Sequence, residues 1–218
     1  MKELINSSIQ DHSEILKHIN KDMINSASRI IIDAIGKGKT IFWCGNGGSA
    51  SQANHLSAEL VGGMYQKKIK PFKSICLNVD TSFITAWSND DSFNNIFTRQ
   101  LEALGESGDI LIGLSTSGNS SNIVEAAKFA SSNKMKVISM TGNDGGKLSN
   151  HSDINIDIYP CGKNIKIRLN NDMVLFLTEY KSEIEKQKEI LQHKEERERI
   201  QAEKSLAEQQ EKARKKKE

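Results

Sequence analysis

The sequence predicts an α/β protein whose mostly parallel sheet is covered by helices on both faces. Two patterns favour this fold class. Short apolar runs recur five times along the chain, and segments of helical length with apolar residues at helical spacing lie between them. Continuous rather than alternating apolar runs are typical of strands buried on both faces, and strands that alternate with helices form βαβ units.

Each predicted strand is short, rich in β-branched or aromatic residues, and bounded by Gly, Asn, Asp or Ser. The five strands are residues 39–44, 74–78, 109–114, 136–141 and 153–159. Helices are expected at 49–61, at 83–104 with a break near Asn89, and at 119–133.

The first 36 residues predict one or two amphipathic helices that end at the Gly36-Lys37-Gly38 turn. Their apolar stripe must be buried, either against the domain or against another subunit. Its members are Ile15, Ile19, Ile24, Ile31 and Ile35.

Length and charge divide the chain in two. A chain of 218 residues suits one well-buried domain, expected at 1–180, and the remainder, 181–218, is expected to be a charged helical or disordered tail. The tail holds 12 of the 30 Lys and Arg and 10 of the 28 Asp and Glu, which leaves 18 of each sign elsewhere. The neutral domain indicates no nucleic-acid partner, so an anionic ligand must be held by local geometry.

Cysteine usage and hydropathy favour a cytoplasmic protein without a membrane partner. Cys44, Cys76 and Cys161 are odd in number and form no C-x-x-C spacing, which argues against a disulfide framework or a zinc ribbon. The first residues contain no apolar signal segment, and no later run is long enough to span a bilayer.

Two predicted strands end in loops suited to bind an anion. The first strand leads into Cys44-Gly45-Asn46-Gly47-Gly48-Ser49-Ala50, and the third leads into Ser115-Thr116-Ser117-Gly118-Asn119-Ser120. Each loop opens a helix, whose free N–H groups and positive dipole end favour a phosphate or carboxylate. A Gly-rich turn alone is common, and Ser or Asn often only caps a helix. Two such loops at one sheet edge, joined there by a third turn at 141–146, favour a ligand site.

A nicotinamide dinucleotide is the alternative ligand, because Gly45-x-Gly47-x-x-Ala50 fits the G-x-G-x-x-G/A fingerprint. That fingerprint requires an acidic residue about twenty positions further on, but Asp80 follows Gly45 by 35 residues. A nucleoside triphosphate is disfavoured because the chain contains no G-x-x-x-x-G-K-[ST] motif.

The motifs CGNGGSAS, HLSAEL, SNDDSF, STSGNSSN and TGNDGGKL, in this order, resemble those of the phosphoheptose isomerases of the sugar isomerase (SIS) superfamily. The resemblance covers roughly residues 1–160. It implies a three-layer α/β/α fold with five parallel strands, to which the sequence pattern adds the N-terminal helices and a long charged C-terminal helix. It also implies a cytoplasmic homotetramer that converts sedoheptulose 7-phosphate to a heptose phosphate for bacterial surface polysaccharides such as lipopolysaccharide.

Residue by residue, the resemblance implies a substrate site and a metal site. Glu59 resembles the catalytic carboxylate and, with His55, a pair of zinc ligands. The positions that resemble substrate-binding residues are Gly47, Gly48, Ser49, Glu59, Asn89, Asp90, Ser115, Thr116, Ser117 and Ser120.

The spacing of His55 and Glu59 supports this interpretation independently. Residues four apart project from one face of a helix, where His and Glu can share a divalent ion, and a Glu near the sugar can move a proton between C1 and C2 through an enediol. The alternative is an ordinary surface pair. We expect the pair to lie close to the first loop, which favours the functional interpretation.

The sequence departs from the family pattern after residue 160. The family's last helix supplies a Gln and a His to the metal site, and Asn170 and Met173 stand at those positions here. Met can neither exchange a proton nor bind zinc as imidazole does, so we expect zinc binding to be weak or absent. His151 is the nearest candidate for a substitute. Two hypotheses follow: a sugar-phosphate isomerase that uses Glu59 as its base, or a non-catalytic SIS module that binds a sugar phosphate or a protein partner.

Overall fold

The computed structural model describes residues 2–63, 70–142 and 144–158. The described residues contain all five predicted strands, with ends shifted by two residues at most. The strands are β1 (Ile41–Gly45), β2 (Ser74–Cys76), β3 (Ile110–Ser115), β4 (Lys136–Gly142) and β5 (Ile154–Ile158).

The predicted helices are also present. Asn20 divides the N-terminal segment into two helices, because its side chain accepts hydrogen bonds from the Asp22 and Met23 amides and so caps the second. The helices are α1 (Lys2–His18), α2 (Lys21–Gly36), α3 (Gly48–Gly62), α4 (Thr81–Asp90), α5 (Ile96–Leu104), α6 (Ser121–Ser132) and α7 (Gly146–Ser149), with a 3₁₀ helix at Phe93–Asn95.

All neighbouring strands are parallel, in the order β2-β1-β3-β4-β5. The chain moves from β1 outward to β2 and then crosses β1 to continue with β3. Ligands of open α/β sheets bind where the strand order reverses in this way, beyond the carboxyl ends of the two strands. Here those strands are β1 and β3, which carry the two predicted ligand loops.

Helices cover both faces of the sheet, so the three-layer α/β/α fold is confirmed. On one face Trp43 Nε1 donates to Ser74 Oγ at 2.8 Å, and Ser57 Oγ of α3 lies 3.0 Å from the same oxygen. On the other face Phe42 and Cys44 pack with residues of α5 and α6 in one buried cluster. Continuous burial of β1 and β3 explains their continuous apolar sequences.

The N-terminal helices bury their predicted stripe only in part. Ile15 is 4% exposed, whereas the other four isoleucines of the stripe are half-buried. The fully buried face of α2 consists of small residues, Ala27, Ser28 and Ala34, and this helix contacts β5. The helix α2 is therefore part of the domain.

Several predictions concern residues outside the described part of the chain. These are the domain boundary at residue 180, the charged tail 181–218, and the positions Asn170 and Met173. Within the described residues, no helix combines the length and the hydropathy needed to cross a membrane.

Candidate sugar-phosphate site

The first loop, between β1 and α3, presents open backbone. Gly47 adopts φ +56° and ψ −121°, and a Cβ atom added to Gly47 or Gly48 would have no neighbour within 4 Å. Among the described residues, the amides of both glycines lack an acceptor. Ser49 follows at the start of α3, and its hydroxyl has no hydrogen-bond partner in the same part of the chain. These free donors at the positive end of a long helix form a cradle for an anion.

The turn before this cradle is tightly held. Asn78, just after β2, accepts a hydrogen bond from the Gly45 amide at 3.1 Å and donates one to the Gly45 carbonyl at 2.8 Å. A Cβ atom at Gly45 would lie 2.6 Å from backbone atoms of Ser49, so only glycine permits the turn. Asn78 is not among the predicted site residues, and its one signal in the sequence is an Asn at the end of a predicted strand.

Cys44, the residue before the last of β1, lies beside this turn but is not suited to act as a nucleophile. Its side chain is fully buried, and burial raises the pKa of the thiol far above its usual value. Cys76 on β2 is free as well, and burial also raises its pKa. Raised thiol pKa values suppress the reactive thiolate form.

The second loop, between β3 and α6, groups the predicted hydroxyls. Ser115 Oγ donates to Ser120 Oγ at 3.1 Å, which leaves the Ser120 proton available to a ligand. Thr116 and Ser117 are exposed, and the Ser117 hydroxyl accepts from the Asn119 amide at 3.2 Å. The loop therefore offers neutral hydroxyl donors at the edge where the first loop offers amides.

The third turn, after β4, supports the second loop. The Gly142 amide donates to the Thr116 carbonyl, and the Leu148 amide donates to the Gly118 carbonyl. The Lys147 amide donates to Asn119 Oδ1 at 3.1 Å. These three hydrogen bonds hold the second loop against the third turn and α7 and so fix its shape.

One pair of side chains joins the first loop to the second. Asn46 Nδ2 donates to Asn122 Oδ1 at 2.8 Å, and Asn122 Nδ2 donates to Asn46 Oδ1 at 2.9 Å. Neither residue is among the predicted site residues. A reciprocal pair separated by 76 residues leaves no signal in a single sequence.

The expectation that His55 and Glu59 lie close to the first loop of their own chain is wrong. The helix α3 starts at the carboxyl edge of the sheet and runs back to the amino edge, so Glu59 lies about 16 Å from Gly48 along the helix axis. Two contacts confirm this: Ser57 lies 3.0 Å from Ser74, the first residue of β2, and the Leu60 carbonyl accepts from the Phe72 amide. The connection from β1 to parallel β2 requires this return.

His55 and Glu59 do share one helix face. His55 Nε2 lies 3.8 Å from Glu59 Oε1, and both side chains are accessible to solvent. Two ligands of a tetrahedral zinc ion lie about 3.3 Å apart, so a small side-chain adjustment would let both reach one ion. A zinc site needs three or four ligands, however, and within the described residues no group of three His, Cys, Asp or Glu side chains converges. These residues alone do not make a zinc site.

Asn89 and Asp90 lie exposed at the end of α4, where Asn89 Nδ2 donates to Asp90 Oδ1 at 2.8 Å. No hydrogen bond joins either side chain to the two ligand loops within the described residues. The 3₁₀ helix that follows contacts α6, the helix that starts at the second loop. The role of Asn89 and Asp90 in substrate binding stays a prediction.

The fold and the paired loops agree with similarities to known proteins. A family model described as SIS domain matches residues 6–142, so the chain is an SIS-domain protein. A phosphoheptose isomerase of Aliarcobacter butzleri is 42% identical over 159 residues, which cover 72% of this chain and 84% of that protein. Within the SIS class, the chain belongs to the phosphoheptose isomerase family.

Solved structures support the same assignment. The phosphoheptose isomerase of Neisseria gonorrhoeae superposes with a TM-score of 0.72 at 33% identity and covers 85% of this chain and 96% of its own. That of Francisella tularensis gives a TM-score of 0.69 at 33% identity, with 76% and 86% covered.

Proposed function

We propose that this protein interconverts sedoheptulose 7-phosphate and manno-heptose 7-phosphate for the synthesis of bacterial surface polysaccharide. The observation that carries the proposal is the pair of donor-rich loops at the β1–β3 edge, in a chain of the phosphoheptose isomerase family. One loop supplies amides and the other hydroxyls, and together they suit a phosphate group without a Lys or Arg.

The binding residues divide by loop. Gly47, Gly48 and Ser49 hold the phosphate from the helix α3 side, and the second loop holds it and the adjacent hydroxyls. The members of the second loop are Ser115, Thr116, Ser117 and Ser120. Asn89 and Asp90 bind sugar hydroxyls at the rim of the site.

We propose Glu59 as the general base. Its carboxylate takes the proton from C1 of the ketose, and the electron pair of the broken C–H bond forms the C1=C2 bond of the enediol while the C2 oxygen takes a proton from water. Glu59 then returns its proton to C2, and the C1 hydroxyl gives its proton back to water, which yields the aldose. Met173 cannot serve as the second proton-transfer group, so we expect turnover below that of a complete acid–base pair by roughly 10² to 10⁴.

The position of Glu59 at the amino edge supports an oligomeric enzyme. A sugar whose phosphate lies in the first loop cannot reach the Glu59 of its own chain, three helical turns away. We propose a homotetramer in which the partner subunit's Glu59 approaches the loops. Ile9 and Leu16 on α1, which are 58% and 44% exposed, supply apolar surface for such assembly.

We propose that zinc is bound weakly or not at all, and that His55 and Glu59 would be its ligands. Zinc bound there would polarise the sugar oxygens. Two protein ligands give low affinity, because stable zinc sites normally have three or four.

The second candidate is a non-catalytic module that binds a sugar phosphate or a protein partner. The observation that favours it is the replacement of the family's Gln and His by Asn170 and Met173. Without these groups the binding loops remain, but proton transfer is impaired.

An assay distinguishes the isomerase from the non-catalytic module. The full-length protein is incubated with sedoheptulose 7-phosphate in deuterium oxide, and NMR follows aldose formation and deuterium exchange at C1 and C2. Measurable turnover with exchange supports the isomerase. Phosphate-sugar binding without exchange or turnover would establish the module instead.

A further inference from the structure

The reciprocal pair of Asn46 and Asn122 lies between the two loops that we assign to the phosphate. Asn46 immediately precedes Gly47, and Asn122 follows Ser120 by two residues, on the first turn of α6. The two hydrogen bonds, 2.8 and 2.9 Å, use the oxygen and one N–H of each amide. Each partner thus adjoins residues proposed to contact the ligand.

This pair is the polar connection between the loops. The ladder between β1 and β3 ends with Gly45 opposite Leu114. Beyond that point, the two amide bonds are the hydrogen bonds that join residues 46–50 to residues 115–122 within the described residues. The second loop has further support from the third turn, whereas in the first loop the Gly47 carbonyl accepts from the Ala50 and Ser51 amides but the Gly47 and Gly48 amides make no hydrogen bond within the described residues.

Burial of Asn122 makes its hydrogen bonds to Asn46 hard to replace. Asn122 is 2% exposed, so its amide cannot exchange its partner for bulk water without loss of free energy. The Asn122 side chain bonds to no backbone amide of the first helical turn, so helix capping gives no reason for an Asn there. The amide is explained by its partner in the opposite loop.

We propose that Asn46 and Asn122 are positioning residues that fix the separation of the first and second loops and thereby set phosphate affinity. The inference rests on the proposed function of these loops. In each amide the oxygen and one N–H are used by the pair itself. The pair acts by preorganising the Gly47 and Gly48 amides relative to the second-loop hydroxyls.

The experiment compares Asn46→Ala, Asn122→Ala and the double variant with the wild-type protein. Inorganic phosphate is the probe: its dissociation constant is measured by calorimetry, its inhibition constant against isomerase turnover by kinetics, and thermal stability in parallel. Each single variant should weaken phosphate binding on the order of tenfold to a hundredfold. The reason is that a small displacement of one loop moves its donors out of hydrogen-bonding distance of the phosphate. The double variant should match the singles, because either substitution removes both bonds.

Asp109→Asn is the matched control. Asp109 is 3% exposed and joins the same two strands at the opposite edge of the sheet, where it accepts from the Thr40 and Glu106 amides at 2.9 Å each. The control should lower the melting temperature and leave the phosphate constant unchanged. Asn46→Ala, at a half-buried position, should stay folded if Asn122→Ala does not.

A lower melting temperature with an unchanged phosphate constant in the asparagine variants would refute the positioning role. Additive effects of the two substitutions would refute it too. If the wild-type protein binds phosphate but shows no turnover, the isomerase function fails, and calorimetry still decides the role of the pair. A wild-type protein that does not bind phosphate overturns both.

Discussion

Hydroxyl groups, rather than cationic side chains, supply much of the proposed phosphate contact. Ser49 and Ser117 come from different loops, and both present their oxygens at the carboxyl edge of the sheet. A hydrogen bond to a charged group stabilises by roughly 1.5 to 3 kcal/mol. The double variant Ser49→Ala/Ser117→Ala, which removes two such bonds, should therefore raise the dissociation constant of phosphorylated sugars by at least about a hundredfold. Calorimetric titration measures the change.

The melting temperature of this variant should remain nearly unchanged, since Ser49 Oγ makes no hydrogen bond within the described residues and Ser117 Oγ only accepts one from the Asn119 amide at an exposed position. Ser131→Ala/Ser132→Ala is the control, because these serines are at the far end of α6. Unaltered affinity in the Ser49/Ser117 variant would exclude the phosphate assignment.

Glu59 and His55 should differ in their effect on catalysis. Glu59→Gln removes the proposed base but preserves size, so exchange of the sugar protons with solvent should be lost. His55→Ala should reduce the exchange only in part, because His55 at most positions a weakly held ion. A chelator should have little effect. Tight stoichiometric zinc and chelator-sensitive turnover would show that another residue, such as His151, completes the metal site.

At the scale of elements, the two ligand loops use glycine for different reasons. Gly118 has φ +63°, and a Cβ atom there would overlap the Gly145 carbonyl oxygen. Gly48 has ordinary backbone angles and free space around it. Gly118 is thus required by the fold, whereas Gly48 leaves room for a ligand.

Alanine substitution should separate these roles. Gly118→Ala should lower the melting temperature by at least about 2 to 8 °C, since left-handed backbone costs a non-glycine residue roughly 1–2 kcal/mol before the steric overlap is added. Gly48→Ala should leave the melting temperature unchanged and weaken phosphate binding. Scanning calorimetry and phosphate titration test both. The reverse pattern would contradict an open cradle in the first loop.

At the scale of the whole molecule, assembly is expected to complete the active site. Ile9→Glu with Leu16→Glu should produce a folded monomer with little isomerase activity, because both side chains are exposed on the single chain. These point changes are sharper than removal of residues 1–36, since α2 buries Ala27 and Ala34 in the domain. Analytical ultracentrifugation and circular dichroism provide the measurements. A fully active monomer would contradict the shared site.

Complementation between two inactive variants tests directly whether the loops of one subunit and the Glu59 of another form one active site. Glu59→Gln and Ser49→Ala/Ser117→Ala variants should each be nearly inactive, but mixed oligomers should regain part of the activity, because some sites combine intact loops with an intact Glu59. Mixing follows denaturation and joint refolding, and refolded single variants serve as controls. No recovery in verified mixed oligomers would place the base and the loops on one chain.

The sequence by itself determined the fold class and the positions of the two predicted ligand loops. Both rest on local signals: continuous apolar strands, and Gly-rich or Ser-rich turns such as 45–50 and 115–120 that open helices. Because carboxyl ends of parallel strands share one edge, convergence of the loops followed without coordinates.

Only the tertiary structure decided what depends on distance. It gave the strand order, with its reversal between β1 and β3, and the Asn46–Asn122 and Asn78–Gly45 bonds, whose partners are far apart in sequence. It also separated Glu59 from the first loop. Glu59 follows Gly48 by only eleven residues in the sequence. Because α3 runs back along the parallel sheet, these residues span about 16 Å, and Glu59 lies at the amino edge, opposite the loops.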